Sequence, residues 1–355
     1  MLLFLPPARR GPLAFPQDWC GGVRDQYFQD SMGFPMKHES REAKSLHEGR
    51  RFNYEAIEAY QKRYIDESTG FFAGSFTTER SCPACDSDHH VFMFSKAGGN
   101  YFRCIDCTMV FTNPIMLPKY LTEYYAALNT GQGIIVANES EFYTEIYSKG
   151  LKLVSASKRG KTLLDVGCST GFFLDIARSA GWDTFGIEPG LEEGAEASRR
   201  GHKVFGESVD QLSIAERFDA ITLWDVFEHI PEPHQFLESI SQLLAPDGIL
   251  YMQIPNSSGL APRILHERCN MFDGLEHCNL YNPQTIRQVL EANGFSVLAM
   301  ESVISEMAVL INYLEYEDPY FGSQSLDGSL LNVITEDEIH KNLLGYKLQL
   351  VAQML

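Results

Sequence analysis

From Lys161 to the end of the chain, short apolar runs alternate with helix-like segments. This alternation restricts the fold more than any other feature of the 355 residues. Strands joined by helices rather than by tight turns lie parallel, so the pattern calls for βαβ units on one sheet. Thr162–Val166 reads as a buried strand, followed by a tight turn and a helix from Phe172 to Ala180 that Gly181 stops. Further strands read at Asp183–Ile187, Lys203–Phe205, Phe218–Trp224, Ile249–Ile254 and Phe295–Val303. Helices read at Leu191–Arg200 and Pro233–Leu244, and from Pro283 toward Gly294, with Asn282 as N-cap. Lys347–Met354 alternates strictly, with Leu348, Leu350, Ala352 and Met354 on one side, which predicts an antiparallel closing edge strand. The expected fold class is therefore α/β: a doubly wound, mostly parallel seven-stranded sheet, with its core at 159–303 and its closing strand at 346–355. Residues 304–345 read as a lid-like insertion. It holds an apolar helix near Ser305–Tyr316 and a second helix beginning at Thr335, where Thr335 and Glu338 make a capping box.

The first turn of that sheet carries the main functional signal. In Leu163-Leu164-Asp165-Val166-Gly167-Cys168-Ser169-Thr170-Gly171 an acidic residue ends a strand, and a glycine-bearing turn leads into a helix. Glycine permits a sharp turn and lets a ligand approach the backbone closely. Glu188 ends the second strand, where a carboxylate can accept both hydrogen bonds of a ribose diol. A dinucleotide turn would read G-x-G-x-x-G, but here Ser169 holds the second glycine position and Gly171 directly follows Thr170. A purely structural glycine turn is the other alternative.

The first half of the chain is organised differently. Residues 1–40, rich in Pro and Gly, read as an irregular arm, 41–78 as a helical lead-in, and 115–158 as linking helices. Between them, at 79–114, lie Cys82-Pro-Ala-Cys85 and Cys104-Ile-Asp-Cys107, with eighteen residues separating the pairs. That spacing predicts a zinc ribbon, in which each turn offers two thiolates to one ion and the four close its tetrahedron. Two metal-free thiol pairs or a redox CxxC are the alternatives.

Net charge and the first residues narrow the partners. A formal charge of −18 opposes a polyphosphate backbone, so a nucleic-acid partner is not expected. No apolar run is long enough to span a membrane. The apolar Met1–Leu5 is broken by Pro6-Pro7 and followed, not preceded, by Arg9-Arg10, the reverse of a secretory signal; a cytoplasmic protein is expected. Oligomer formation is left open.

These motifs resemble those of class I S-adenosylmethionine-dependent methyltransferases, whose signature at the first turn is D-x-G-x-G-x-G. Phe218-Asp219 through Glu228-His229-Ile230-Pro231 is similar to their fourth-strand motif, and Leu244-Ala245-Pro246-Asp247-Gly248 to their L-x-P-G-G turn, with Asp247 in place of glycine. His277-Cys278-Asn279 through Pro283 resembles a motif of the ubiquinone-pathway O-methyltransferases. The ribbon, ending Phe111-Thr112-Asn113-Pro114, resembles the module ahead of sugar-nucleotide C-methyltransferases. The resemblance implies S-adenosylmethionine as cofactor. Asp165, Gly167, Cys168, Ser169 and Gly171 would line its amino-acid side, and Glu188 would hold the ribose. Glu207 or Ser208 would lie near the adenine, with Asp225 facing the cofactor from the opposite side.

A sulfonium methyl needs an in-line nucleophile and, for a hydroxyl or carbon acid, a base. His277 and His229 are the candidate bases, because both fall where loops leave the carboxyl ends of strands. His229 has the alternative of merely supporting its loop; His234, His266 and Tyr281 are weaker candidates. Trp224, Phe227, Phe272 and Tyr281 are either pocket wall or core. The expected activity is methyl transfer to a small-molecule acceptor. The rivals are an rRNA or tRNA methyltransferase that docks RNA through the ribbon, and a non-catalytic cofactor-binding scaffold.

Overall fold

The computed structural model describes residues 57–128, 136, 139–157, 160–212, 214–315 and 334–355. Residues 1–40, expected as an arm, lie outside them. Five short strands come first: β1 (Thr77–Thr78), β2 (His90–Lys96), β3 (Gly99–Cys104), β4 (Val110–Thr112) and β5 (Ile115–Met116). Two helices follow, α1 (Pro118–Leu128) and α2 (Ser140–Ser157). The alternating half then runs β6 (Thr162–Val166), α3 (Phe172–Ser179), β7 (Asp183–Ile187), α4 (Leu191–Arg199), β8 (Lys203–Phe205), β9 (Phe218–Trp224), α5 (Pro233–Leu243) and β10 (Leu244–Pro255). It continues with α6 (Leu260–Leu265), β11 (Asn279–Leu280), α7 (Pro283–Ala292), β12 (Phe295–Val303), α8 (Met307–Glu315), α9 (Glu336–Lys341) and β13 (Lys347–Met354).

The large sheet has seven strands in the order β12-β13-β10-β9-β6-β7-β8, parallel except at β13, which is antiparallel to both its neighbours. From β6 the chain steps outward to β7 and β8, then returns to β9 on the other flank of β6. The switch point therefore lies between β6 and β9, and ligands of open α/β sheets bind outside the carboxyl ends of strands at such a point. The central strands are largely apolar because both faces are covered: β9 buries Phe218, Ala220, Ile221 and Leu223 completely. Both expected caps form. Asn282 and Thr285 complete a capping box on α7, and Thr335 and Glu338 one on α9.

Two expectations change. The last strand, β13, is antiparallel as expected but interior, and β12 is the edge. The alternation that suggested a solvent-facing side hides a buried polar pair, since Gln349 is fully buried and its Nε2 donates to Gln253 Oε1 at 2.9 Å. The lead-in is helical only over 57–64 of its described part; Ile65 then bridges Phe72 around a turn in which Gly70 adopts φ 76°.

The cysteine-bearing segment forms a four-stranded antiparallel sheet ordered β11-β4-β3-β2. Its fourth strand, β11, is supplied by the α/β half, with Asn279 opposite Phe111 and Leu280 opposite Val110. Among the described residues no helix is long and apolar enough to cross a membrane.

Candidate active site

The turn after β6 is held from two sides. Gly167, Ser169 and Gly171 all have positive φ (77°, 46° and 81°), and a Cβ on Gly167 would stand 2.9 Å from Val226 Cγ2. Glycine is needed there on both counts. The Gly167 and Cys168 amides donate to Ile187 O at 2.8 and 3.1 Å. Glu188 accepts the Ser169 amide at 2.9 Å through Oε2 and the Gly190 amide at 2.8 Å through Oε1. Its carboxylate thus ties the first turn to the loop after β7, just where the resemblance places the ribose.

Asp165 is buried and accepts the Thr222 hydroxyl at 2.7 Å; burial pushes its carboxyl up to about 8. Asp225 follows β9 in a left-handed conformation, φ 55°. Its Oδ2 accepts Gln253 Nε2 at 3.1 Å and the Lys347 ammonium. Burial alone would lower Lys347, but the Asp225 charge outweighs it and the ammonium is held above its usual range. Asp225 Oδ1 and Ser169 Oγ are buried without a partner among the described residues. Buried polar atoms are seldom left so, and both flank the switch point, so the site fits a ligand that brings polar groups there. Three candidates stand apart. The Cys168 thiol packs into the core with Leu163, Phe173 and Leu174, and its amide is bonded to Ile187 O. Glu207 is exposed and Ser208 half-exposed, both past the end of β8.

The two candidate bases converge. A short 3₁₀ turn, Phe227–His229, follows Asp225, and the His229 and His277 rings lie 4.9 Å apart, tilted by 55°. Their environments drive them in opposite directions. Burial alone would lower His277, but the Asp273 carboxylate, 2.9 Å from Nδ1, outweighs it and holds the imidazole up to about 10. Met271 O also lies 2.7 Å from that nitrogen. His229 is pushed down to about 4, first by burial and then by the charge on His277; Tyr125 Oη stands 3.2 Å from its Nδ1. At neutral pH the pair is one imidazolium and one neutral imidazole.

Glu228 completes the group. It is fully buried, and both carboxyl oxygens lack a partner among the described residues. Burial, then the charge of Asp225, pushes it up to about 8. Ligand-type atoms of Glu228, His229 and His277 all fall within 4.8 Å of one another, close enough to hold one cation between them. Glu228, Asp273 and Lys347 are not among the candidates that the sequence motifs single out. Asp273 sits four residues before His277, and Glu228 directly precedes His229, spacings that carry a signal once both histidines are suspected. Lys347 sits on a distant strand, and no local pattern marks it.

His234 hydrogen-bonds Asn293, His266 is exposed, and Tyr281 stacks on Phe227 with centroids 5.0 Å apart. Trp224, Phe227, Phe272 and Tyr281 are all buried in core clusters. In the insertion, α8 packs into the cluster holding Tyr101, Leu265 and Phe272, with the Tyr313 ring beside Arg268; Tyr316, Tyr320 and Phe321 lie outside the described residues.

The four ribbon cysteines also meet. Their sulfurs lie within 4.8 Å of one another, Cys82 to Cys107 at 3.5 Å and Cys85 to Cys104 at 3.6 Å. Zn–S bonds of about 2.3 Å put tetrahedral sulfurs about 3.8 Å apart, so the set fits a zinc ion far better than disulfides. Both turns share one backbone form. The amides of Asp86 and Thr108, each with positive φ, donate back to Cys82 O and Cys104 O at 2.9 and 3.1 Å.

Comparison with known proteins agrees with this geometry. Residues 138–300, which contain the turn, Glu188, Asp225 and both histidines, match the family described as "Methyltransferase domain". The chain carries a class I S-adenosylmethionine-dependent methyltransferase domain. Ubiquinone biosynthesis O-methyltransferase of Actinobacillus pleuropneumoniae serotype 5b (strain L20) is 34% identical to it over 110 residues, 27% of this chain and 47% of the relative. C-methyltransferase NovU of Streptomyces niveus is 25% identical over 198 residues, 52% of this chain and 46% of the relative. The chain thus spans about half the length of these relatives. Among solved structures, magnesium protoporphyrin IX methyltransferase (ChlM) from Synechocystis PCC 6803 with bound SAH superposes with a TM-score of 0.45 at 14% identity, covering 67% of this chain and 99% of that one.

Proposed function

We propose that this protein methylates a small-molecule acceptor, at a hydroxyl or an acidic carbon, with His229 as the base. The observation that carries the proposal is the split pair: a neutral imidazole at His229 beside an imidazolium at His277, 4.9 Å apart, over the switch point. S-adenosylmethionine supplies, when bound, an electrophilic methyl. Asp165, the 167–171 turn and Glu188 would hold it on one side, and Asp225 on the other. Only a neutral imidazole can take the acceptor's proton, so His229 has that role. His277, held charged by Asp273, stabilises the oxyanion or enolate that develops as the proton leaves.

Both named relatives are, by name, an O- and a C-methyltransferase, which supports a small-molecule acceptor over RNA, as does the charge of −18. The four ribbon thiolates would hold a zinc ion with no open coordination position, a structural rather than a reacting metal. Paired thiols in this arrangement suit a reducing compartment, and we place the protein in the cytoplasm.

The test is methyl transfer from labelled S-adenosylmethionine to two acceptor pools, phenols and keto sugar nucleotides. Label in a product that disappears in His229→Ala, with cofactor binding retained, supports the reading. Absence of cofactor binding by the wild-type protein overturns it.

A further inference from the structure

Arg80 lies in the ribbon segment, two residues before Cys82, and belongs to neither the cofactor turn nor the histidine pair. Its guanidinium nevertheless reaches three separate stretches of chain. Nε donates to Thr112 O at 3.1 Å, on ribbon strand β4. Nη1 donates to Pro231 O at 3.2 Å, two residues past His229. Nη2 donates to Cys278 O at 2.8 Å and to Asn279 Oδ1 at 2.9 Å, the two residues after His277. The backbone amide of Arg80 is itself fixed by Asn113 Oδ1 at 3.0 Å.

The same junction is bonded without Arg80 as well. Asn279 Nδ2 donates to Ile230 O at 2.6 Å, joining the His229 loop to the His277 segment. Thr112 N donates to Cys278 O at 3.0 Å, and β11 pairs with β4. Cys278 O therefore receives both the Arg80 fork and a ribbon amide. Arginine is the side chain that can do this. Its planar fork presents donors in several fixed directions, whereas lysine concentrates three donors on one atom and cannot reach acceptors spread over three stretches of chain.

We propose that Arg80 is a positioning residue that sets the spacing of His229 and His277, so that the ribbon forms part of the acceptor half of the site. The loops that carry the two imidazoles have no covalent link for almost fifty residues, yet both are gripped within two residues of the histidine by one cation. The cofactor half is independent of it: the Glu188 bridge and the Gly167 amide involve only the loops after β6 and β7. The proposal rests on the reading of the histidine pair given above. It predicts that disturbing the ribbon side alters the pair and spares the cofactor.

The experiment uses full-length, metal-loaded protein with ¹³C-labelled histidine. Histidine resonances are titrated in the wild type, Arg80→Ala and Arg80→Lys, and S-adenosylmethionine affinity is measured in each. In Arg80→Ala the His229 midpoint, held down in part by the His277 charge, should rise toward the ordinary imidazole value near 6.5 as the rings separate, while Asp273 keeps that of His277 high. Cofactor affinity should stay within about twofold of the wild type, an expectation taken from the spatial separation of the two halves. Guanidinium ion at low millimolar concentration should separate the midpoints again, and Arg80→Lys should resemble Arg80→Ala. Midpoints that do not move in folded Arg80→Ala overturn the proposal, as does movement that guanidinium leaves uncorrected or a parallel loss of cofactor affinity. If Arg80→Ala does not fold, Arg80→Lys decides by the same midpoints. A wild type that binds no cofactor is a failure of the proposed function instead, and is read separately.

Discussion

Replacing Asp273 with Asn isolates the charge that separates the two histidines. Asp273 does two jobs at once. Its Oδ1 accepts the amides of Leu275, Glu276 and His277 at 2.9, 2.8 and 3.2 Å, and its Oδ2 faces His277 Nδ1 at 2.9 Å. An asparagine oxygen can keep the amide contacts, so the substitution removes mainly the charge. Burial, the largest influence on His277, is then opposed only by Glu228 and the Met271 carbonyl, and its midpoint should fall from about 10 toward or below 6.5. With that positive charge gone, His229 should rise from about 4. The stability consequence has a definite pH window. A histidine raised in the folded state contributes stability fully below its unfolded value of about 6.5, and loses it as pH rises through about 10. Asp273 is drawn down to about 2, because the His277 charge outweighs burial, so its contribution is present above about 3.9 and lost as pH falls through about 2. The difference between wild type and variant should therefore be greatest between about pH 4 and 6.5 and fade toward pH 10. A rise from 6.5 to about 10 corresponds to roughly 5 kcal/mol, at about 1.4 kcal/mol per pH unit. Both side chains are 21% exposed, and solvent there brings the expected loss nearer about 3 kcal/mol. Urea denaturation at pH 6 and pH 10, with histidine resonances followed in parallel, measures both. A wild-type His277 that titrates near 6.5, or a destabilisation equal at the two pH values, would refute the reasoning.

Three further outcomes are expected. Metal analysis should find about one zinc per chain, lost in Cys104→Ser; iron, or no metal with the ribbon still folded, would contradict the assignment. Glu188→Ala should weaken S-adenosylmethionine binding by about 1–3 kcal/mol in a calorimetric titration, and also lower the melting temperature, because the Ser169 and Gly190 amides lose their acceptor. His229→Ala should slow transfer by about 10²–10⁴-fold at neutral pH with cofactor affinity retained; equal turnover to wild type across pH would mean that positioning alone suffices.

Most of the α/β framework was legible because periodicity and chain punctuation operate over a few residues. Buried strands such as Thr162–Val166 announce themselves as apolar runs, and Asn282 and Thr335 as caps, with no knowledge of what lies across the sheet. The position of β13 was not legible, for the same reason. Strict alternation says that one face carries Gln349, but whether that face meets water or Gln253 is decided by a strand almost a hundred residues earlier. The turn and Glu188 could be found from local pattern. Cys168 shared that pattern, yet its side chain turned inward, because a turn with alternating backbone signs sends successive side chains to different surfaces.

The protonation of the two histidines was not legible for a different reason. Sequence position placed both at the carboxyl ends of strands, and the structure brings their rings together as that required. What position cannot convey is the protonation state, which depends on a balance between burial and one carboxylate. Asp273 lies within a turn of His277 and reaches only that imidazole directly, so of two histidines in nearly the same surroundings one is charged and the other neutral. The histidine with that carboxylate four residues before it is, for that reason, the one that holds its proton. A base and an adjacent cation are jointly more useful than two bases, since the cation stabilises the charge that the base uncovers. The ribbon enters the same logic through Thr112, Arg80 and β11, which fix the segments bearing both rings. A module that looks from its cysteine spacing like an appendage is thereby bonded into the site whose chemistry lies well over a hundred residues further along the chain.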